Sequence, residues 1–201
     1  MLPLYAFVLV DIVNWIWCLF IVAGINPFGS EETTALGFLF KNRHGESNWN
    51  LMVFIFVWGY MAGLNGLAGH ELIHKREPYN KTIGMLTYTK ILYSHFFLEH
   101  GSGHHRNVAT ELDPATAYQG ETFYAFFPRS AFGGLACTYK REVERIEAEF
   151  AEIHRQQNSV PPPSVPMLVS LCQNRVVQYS AIHCAILVAI YGLLGPKAVI
   201  F

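Results

Sequence analysis

Three stretches of apolar residues organise the chain, because charged side chains are missing from them. Asp, Glu, Lys and Arg are absent from residues 12–30, 49–69 and 176–196. A helix needs about 20 apolar residues to cross a bilayer core. The pattern therefore predicts three membrane-spanning helices, at about 4–25, 49–70 and 176–196. Asp11 and Asn65 are costly inside such spans, so we expect both to face the protein interior.

Charged positions concentrate in a different part of the chain. Nine charged residues lie between Lys140 and Arg155, and apolar residues recur among them at helical spacing. This pattern predicts an amphipathic helix over about 137–157, outside the membrane. Eleven of the 14 Lys and Arg residues lie between residues 75 and 175. By the positive-inside rule, residues 71–175 are expected on the cytoplasmic side and residues 26–48 on the other side.

Composition narrows the class of protein further. Charged residues make up 14% of the chain, whereas soluble domains carry about 25%. The net charge of −1 provides no basic field for nucleic acid. We therefore expect an all-α, multi-pass membrane protein that does not bind nucleic acid.

The first histidine pair closes the second apolar stretch. His70 and His74 are four residues apart, which places both imidazoles on one face of a helix, where they can bind one metal ion. Glu71 completes a pattern that is also typical of zinc metalloproteases, in which the glutamate is the general base. An intramembrane zinc protease is therefore one alternative.

A second histidine group lies about 30 residues further along the chain. On a regular helix, His100 and His104 share a face and His105 points about 100° away. A zinc protease needs one more protein ligand, not three. Five imidazoles near a membrane suit iron or another borderline metal better than Mg²⁺ or Ca²⁺, which prefer oxygen ligands.

The apolar segment 82–98 determines whether the two groups can meet. If it crossed the bilayer, His70 and His100 would lie on opposite sides of the membrane. A shared site therefore predicts that residues 82–98 form a re-entrant or interfacial segment. In that arrangement we expect Lys90 to snorkel to the surface.

The residues around both histidine groups closely resemble the membrane-bound alkane 1-monooxygenases of the fatty acid desaturase/hydroxylase superfamily. The resemblance is carried by residues 65–75, 99–110, 113–117, 120–121 and 127–130. It implies two non-haem iron ions on the cytoplasmic side. It implies that their ligands include His70, His74, His100, His104 and His105.

The resemblance also implies the reaction and its partners. O₂ is the co-substrate, and one oxygen atom enters the terminal methyl of an alkane that arrives from the bilayer. Electrons come from NAD(P)H through a rubredoxin reductase and rubredoxin. Other membrane di-iron lipid enzymes of the superfamily remain alternatives: a fatty acid desaturase, a fatty acid hydroxylase or a xylene-type monooxygenase.

Four carboxylates near the histidines are candidates for holding the ligand rings or lying close to the metal. These candidates are Glu71, Glu99, Glu111 and Asp113. Each of them also fits an ordinary place in a loop or at a helix end. Sequence spacing alone does not choose among them.

The length of the chain departs from the family pattern. Full-length members carry a further single histidine, a last box of three histidines and about six spans. The sequence here predicts three spans, and its two histidine groups contain five histidines. We therefore expect a single integral-membrane domain over residues 1–201 that is incomplete. We also expect this chain alone not to hydroxylate octane or hexadecane when supplied with reductase and rubredoxin.

Overall fold

A computed structural model describes residues 2–25, 48–157 and 164–200. Every regular element in these ranges is helical, which confirms the predicted all-α class. The elements in chain order are α1 (Leu2–Ala23), α2 (Asn48–Leu64), α3 (Gly66–Ile73), α4 (Pro78–Lys90), α5 (Phe96–Glu99), a π-helical turn (His100–His104), α6 (His105–Asn107), α7 (Phe123–Gln157), α8 (Met167–Gln173), α9 (Arg175–Leu194) and α10 (Pro196–Ile200). The predicted loop 26–48 falls almost wholly outside the described residues.

Three helical stretches are long and apolar enough to cross a membrane. They are Leu2–Ala23, Met52–Ile73 and Arg175–Leu194. The second joins α2 to α3 through Asn65, whose backbone stays in the right-handed helical region at φ −67° and ψ −18°. The number of candidate spans agrees with the three that the apolar pattern predicts.

The chain divides into two compact units. Unit 1 comprises Met1–Ile91 and His183–Phe201, and unit 2 comprises Leu92–Ile182. Helix α9 begins in unit 2 and ends in unit 1. Unit 1 contains the first histidine pair, and unit 2 contains the second histidine group.

In unit 1, α4 doubles back along α3 to form a tight helical hairpin. The hydroxyl of Tyr88 donates a hydrogen bond of 3.0 Å to the carbonyl of Gly66. The side chain of Thr87 occupies the place that a side chain on Gly69 would need, and a Cβ on Gly84 would lie 2.8 Å from Ile73 Cγ2. Small residues at these two positions therefore let the helices approach closely.

The hairpin accounts for most of the predicted re-entrant segment 82–98. Helix α4 has 13 residues, or about 20 Å at 1.5 Å per residue, so it is too short to span a bilayer core. After Lys90 the chain turns, with Leu92 at φ 56°. Whether this segment lies at the membrane surface stays a prediction.

One carboxylate in α1 holds both ends of the hairpin. Asp11 Oδ1 accepts a hydrogen bond from the Asn65 amide, and Asp11 Oδ2 accepts one from the Lys90 ammonium. Asn65 immediately precedes α3, and Lys90 is the last residue of α4. The expectation that Asp11 and Asn65 face the interior is confirmed by these contacts. We call Asp11, Asn65 and Lys90 the hairpin clamp.

The prediction that Lys90 snorkels to the surface is wrong. Its side chain is 3% exposed, and that of Asp11 is 7% exposed. The ion pair with Asp11 satisfies the ammonium inside the protein, so the side chain has no need to reach water. The partner lies 79 residues away in sequence, which local spacing does not reveal.

In unit 2, the predicted helix 137–157 is the second part of a longer one. Helix α7 begins at Phe123, where the Thr122 hydroxyl accepts a hydrogen bond of 3.3 Å from the backbone of Ala125. Pro128 lies inside the helix, at the loss of one backbone hydrogen bond. The first part was missed because it lacks the charge pattern that marks the second.

A buried glutamate joins α7 to the start of α9 within unit 2. Glu142 accepts hydrogen bonds of 2.6 and 2.9 Å from the Arg175 guanidinium and one of 3.0 Å from Arg145 Nη2. Burial alone would raise the pKa of Glu142, but the two arginines outweigh it and hold the pKa at about 2. Asn174 Oδ1 accepts a hydrogen bond of 3.0 Å from the backbone of Val176 and so caps α9.

The hairpin clamp generates a prediction for stability. Asp11→Leu or Lys90→Met alone leaves an uncompensated buried charge, so each should lower the free energy of unfolding by about 3 kcal/mol or more. The double variant removes both charges and should recover most of that loss. Thermal unfolding in detergent measures these differences. Lys140→Met, at a side chain 79% exposed, is the control and should change little. A double variant as unstable as either single variant would contradict the clamp.

Candidate metal centre

Unit 1 presents a pair of facing imidazoles at the end of α3. The Nε2 atoms of His70 and His74 lie 3.2 Å apart. The ring centroids are 4.6 Å apart and the ring planes are inclined at 75°. The predicted i, i+4 pairing of these two histidines is therefore present.

Unit 2 presents a second pair with nearly the same geometry. The Nε2 atoms of His100 and His105 lie 3.0 Å apart, and their ring planes are inclined at 72°. His100 and His104 share a face as expected, but the expectation that His105 points away from that face is wrong. The rings of His100 and His104 stack with centroids 5.4 Å apart.

A π-helical turn is the reason for the changed pairing. The backbone N–H of His105 donates to the carbonyl of His100, five residues earlier. This wider turn brings positions i and i+5 together, where a regular helix aligns i and i+4. Gly103 is buried in the turn, because the Arg141 guanidinium of α7 occupies the space that a side chain there would need. Single π-helical turns occur frequently at functional sites.

Aromatic packing orients the first histidine of this group. The Phe96 ring stacks on His100 with centroids 4.8 Å apart and planes 21° apart. Tyr93 stacks in turn on Phe96 at 5.5 Å. His100 is buried, so its ring is held on one side by Phe96 while its Nε2 faces His105.

A buried carboxylate fixes the ring of His104. The Oδ2 atom of Asp113 lies 2.8 Å from His104 Nδ1, and the Asp113 side chain is fully buried. Asp113 also accepts hydrogen bonds of 2.5 Å from the Thr116 hydroxyl and 3.0 Å from the backbone of Ala115. Burial alone would raise the pKa of Asp113, but the hydrogen bonds from Thr116, Ala115 and His104 outweigh it and lower the pKa.

The state of Asp113 decides which nitrogen of His104 can bind a metal. An ionised carboxylate only accepts hydrogen bonds, so the proton of a neutral His104 ring stays on Nδ1. Nε2 then carries the free lone pair. Metal-ligating histidines almost always donate their other ring N–H to a carboxylate, a backbone carbonyl or water.

An arginine of α7 locks the loop that carries Asp113. Arg129 donates hydrogen bonds of 3.1 Å to the carbonyl of Pro114 and 2.8 Å to that of Thr116. It also pairs with Glu121 at 2.6 Å. Hydrogen bonds from Arg129 are the main reason that the pKa of Glu121 falls to about 2. The sequence did not predict this role of Arg129. The dipeptide Asp113-Pro114 did indicate a turn at this place, but not the arginine that binds it.

The structure separates the four candidate carboxylates. Asp113 contacts His104 directly. Glu99 is buried beside the second histidine group, and no hydrogen bond reaches its Oε1 from the described residues. Burial raises the pKa of Glu99, and the charge of Arg141 partly offsets this effect.

The other two carboxylates lie elsewhere. The Glu71 side chain is 60% exposed, and its carboxylate lies 3.7 Å from the Lys75 ammonium. Glu111 is exposed in the loop before Asp113. Neither has a described contact with a histidine ring. The position of Glu71 does not favour its use as the general base of a zinc protease.

The spacing within each histidine pair fits a metal ion. Two nitrogens bound at about 2.1 Å to one ion, with about 90–100° between the bonds, lie roughly 3.0–3.2 Å apart. The two pairs have separations of 3.2 and 3.0 Å. Each unit by itself can therefore offer two adjacent imidazole ligands. The buried Oε1 of Glu99, which no described residue hydrogen-bonds, also fits a place beside a metal ion.

Comparisons with known proteins find one matching family and several relatives. Residues 47–201 match the fatty acid desaturase family. The chain is 34% identical over 141 residues to the alkane 1-monooxygenase of Ectopseudomonas oleovorans, a match that covers 69% of this chain and 31% of that protein.

Two further relatives carry the same description. Identity to the alkane 1-monooxygenase of Pseudomonas putida is 37% over 109 residues, covering 53% of this chain and 27% of that protein. Identity to alkane 1-monooxygenase 1 of Alcanivorax borkumensis is 38%, over the same shares of the two chains. The chain thus spans less than a third of the length of the curated relatives it matches.

The contact between Asp113 and His104 generates a prediction for metal binding. Asp113→Asn removes the charge that holds the Nδ1 proton, so the affinity for Fe²⁺ should fall about 10- to 100-fold. Equilibrium titration of the detergent-purified chain with Fe²⁺ measures this. Glu111→Gln, a nearby and exposed change, should leave the affinity unaltered. Equal affinities in the parent and Asp113→Asn would contradict the assigned role.

Proposed function

We propose a function for this chain from its family, since it belongs to the fatty acid desaturase family. The proposed activity is that of a membrane-bound non-haem di-iron monooxygenase. The reaction is hydroxylation of the terminal methyl of an alkane with O₂. The observation that carries the proposal is the presence of two imidazole pairs at metal-ligand spacing, one in each unit. Similarity to three alkane 1-monooxygenases supports the choice of substrate class.

The substrate explains why a metal is needed. A terminal C–H bond has no polar handle, so acid–base side chains alone do not break it, and activation of O₂ is the chemistry that bound iron would supply. The chain's own residues bind and orient. His70, His74, His100, His104 and His105 are the proposed ligands. Asp113 keeps a proton on His104 Nδ1 and leaves Nε2 for the metal.

An apolar substrate fits the surroundings of unit 1. A groove of about 560 Å³ there is lined entirely by apolar side chains of α1, α9 and the residue Ile25. Trp15, Leu19 and Ile190 are among them. A hydrocarbon arriving from the bilayer would lose no hydrogen bonds on entering this groove. This arrangement supports a substrate drawn from the membrane.

The electron donor and the side of the membrane are further parts of the proposal. Electrons come from rubredoxin, reduced by an NAD(P)H-dependent rubredoxin reductase. The histidines lie on the cytoplasmic side, because eleven of the 14 basic residues lie between residues 75 and 175. Soluble electron carriers would then reach the site from the cytoplasm.

Two alternatives differ in what they require. A desaturase or another lipid hydroxylase would use the same irons on an acyl chain or an aromatic methyl. A zinc protease would need Glu71 near the metal, and its carboxylate instead lies beside Lys75. The contact of Glu71 therefore favours the oxygenase.

A chimaera tests the proposed reaction. The segment of the Pseudomonas putida relative that corresponds to residues 65–157 of this chain, which lie within the matched family region, is replaced by those residues. The chimaera is assayed with octane, rubredoxin and its reductase. We expect formation of 1-octanol, and loss of that product in the chimaera carrying His104→Ala. His154→Ala, outside the histidine groups, should keep the activity. A folded, iron-loaded chimaera that desaturates lipid but does not hydroxylate octane would contradict the assigned substrate.

A further inference from the structure

The first half of α7 exposes a row of aromatic and apolar side chains. They are Tyr124, Phe127, Phe132, Leu135 and Tyr139, all exposed. At 100° per residue these five positions fall within an arc of about 140° on one side of the helix. Tyr124 is 86% exposed and Phe132 is 73% exposed. We call these five residues the aromatic stripe.

Other positions of the same half-helix pack against protein. A Cβ on Gly133 would lie 2.9 Å from Pro114 Cβ, and one on Gly134 would lie 3.4 Å from Glu99 Cγ. Thr138 is fully buried and donates to the carbonyl of Gly134. Phe132, Leu135 and Tyr139 lie at least about 100° around the helix from both glycines, so these three side chains face away from Glu99 and Pro114.

Charge changes sharply along the helix. Residues 122–139 contain one Asp, Glu, Lys or Arg, which is Arg129. Its guanidinium is directed into the Asp113 loop by the bonds to Pro114, Thr116 and Glu121. From Lys140 onward the helix carries both acids and bases, nine of them by Arg155. The first half of α7 therefore has an uncharged outer face, whereas the second half has a charged one.

The start of a candidate membrane span adjoins the aromatic stripe. Phe132, Leu135 and Tyr139 share an open groove of about 460 Å³ with Val176, Val177 and Ser180. Those last three residues lie in the first two turns of α9, within the span Arg175–Leu194. The medium around the first turns of a span is the boundary between headgroups and acyl chains. The groove continues that boundary onto α7.

We propose that the first half of α7 lies in the plane of the bilayer, with the aromatic stripe inserted at the boundary between headgroups and acyl chains. Tyrosine is enriched at this depth, and exposed aromatic and apolar side chains on one helix face are typical of interfacial helices. Lys140, at the end of the stripe and 79% exposed, can reach lipid phosphates. The charged second half then extends into water. This inference does not depend on the proposed reaction.

Site-directed spin labelling tests the proposal in the full chain. The native cysteines are first removed as Cys18→Ala, Cys137→Ser, Cys172→Ser and Cys184→Ser. Single cysteines then carry a nitroxide in place of Phe127, Phe132 or Leu135. Matched controls on the same helix carry it in place of Glu144 or Glu147. Accessibility to O₂ and to a water-soluble nickel complex is measured in phosphatidylcholine vesicles, and each variant must unfold at the temperature of the parent.

The expected result is a several-fold higher ratio of O₂ to nickel accessibility at the three stripe positions than at the two controls. O₂ concentrates in the bilayer, whereas the nickel complex stays in water. Equal nickel accessibility at stripe and control positions would place the stripe in water and overturn the proposal. Exclusion of both reagents from the stripe would also overturn it, because another protein segment or a second copy would then cover this face.

Discussion

In each unit, two imidazole nitrogens lie about 3 Å apart, and the surrounding residues must hold the two rings at that distance. Two lone pairs so close together repel each other unless a proton or a metal ion lies between them. The pairs His70/His74 and His100/His105 both have this spacing, at 3.2 and 3.0 Å. A proton shared between the rings would satisfy each pair as a weak hydrogen bond. A metal ion would satisfy it and still leave coordination positions for other ligands. What surrounds each pair therefore has to hold two rings in register without filling the space in front of them.

The two units solve this problem differently. In unit 1 the pair lies on a regular helix, and its position depends on where the hairpin of α3 and α4 is held. Asp11 binds the residue that precedes α3 and the residue that ends α4, so one buried carboxylate fixes the hairpin at both ends. In unit 2 a π-helical turn replaces the regular helix, and support comes from packing. Phe96 stacks on His100, Asp113 holds His104, and the Arg141 guanidinium of α7 packs against Gly103 of the turn.

The sequence predicts most of what depends on local spacing. The apolar stretches gave the three candidate spans, and the i, i+4 spacing gave the His70/His74 pair. The His100/His105 pair was not predictable in the same way, because an i, i+4 rule presumes a regular helix and nothing in the glycines Gly101 and Gly103 specifies a π-helical turn. Contacts between residues far apart in sequence were also not predictable from local spacing. Lys90 finds Asp11 across 79 positions. Only the fold separates Asp113, which is buried against His104, from Glu111, which is exposed two residues earlier.

The central claim is that both histidine pairs are iron ligands, and X-ray absorption at the iron edge of the purified chain tests it most directly. The account predicts iron with nitrogen neighbours at about 2.1 Å and the outer-shell scattering that imidazole rings produce. His70→Ala and His105→Ala should each reduce that scattering and the iron content, whereas His154→Ala should change neither. Folded protein that binds only zinc, or that keeps its iron signal unchanged in His105→Ala, would contradict the claim.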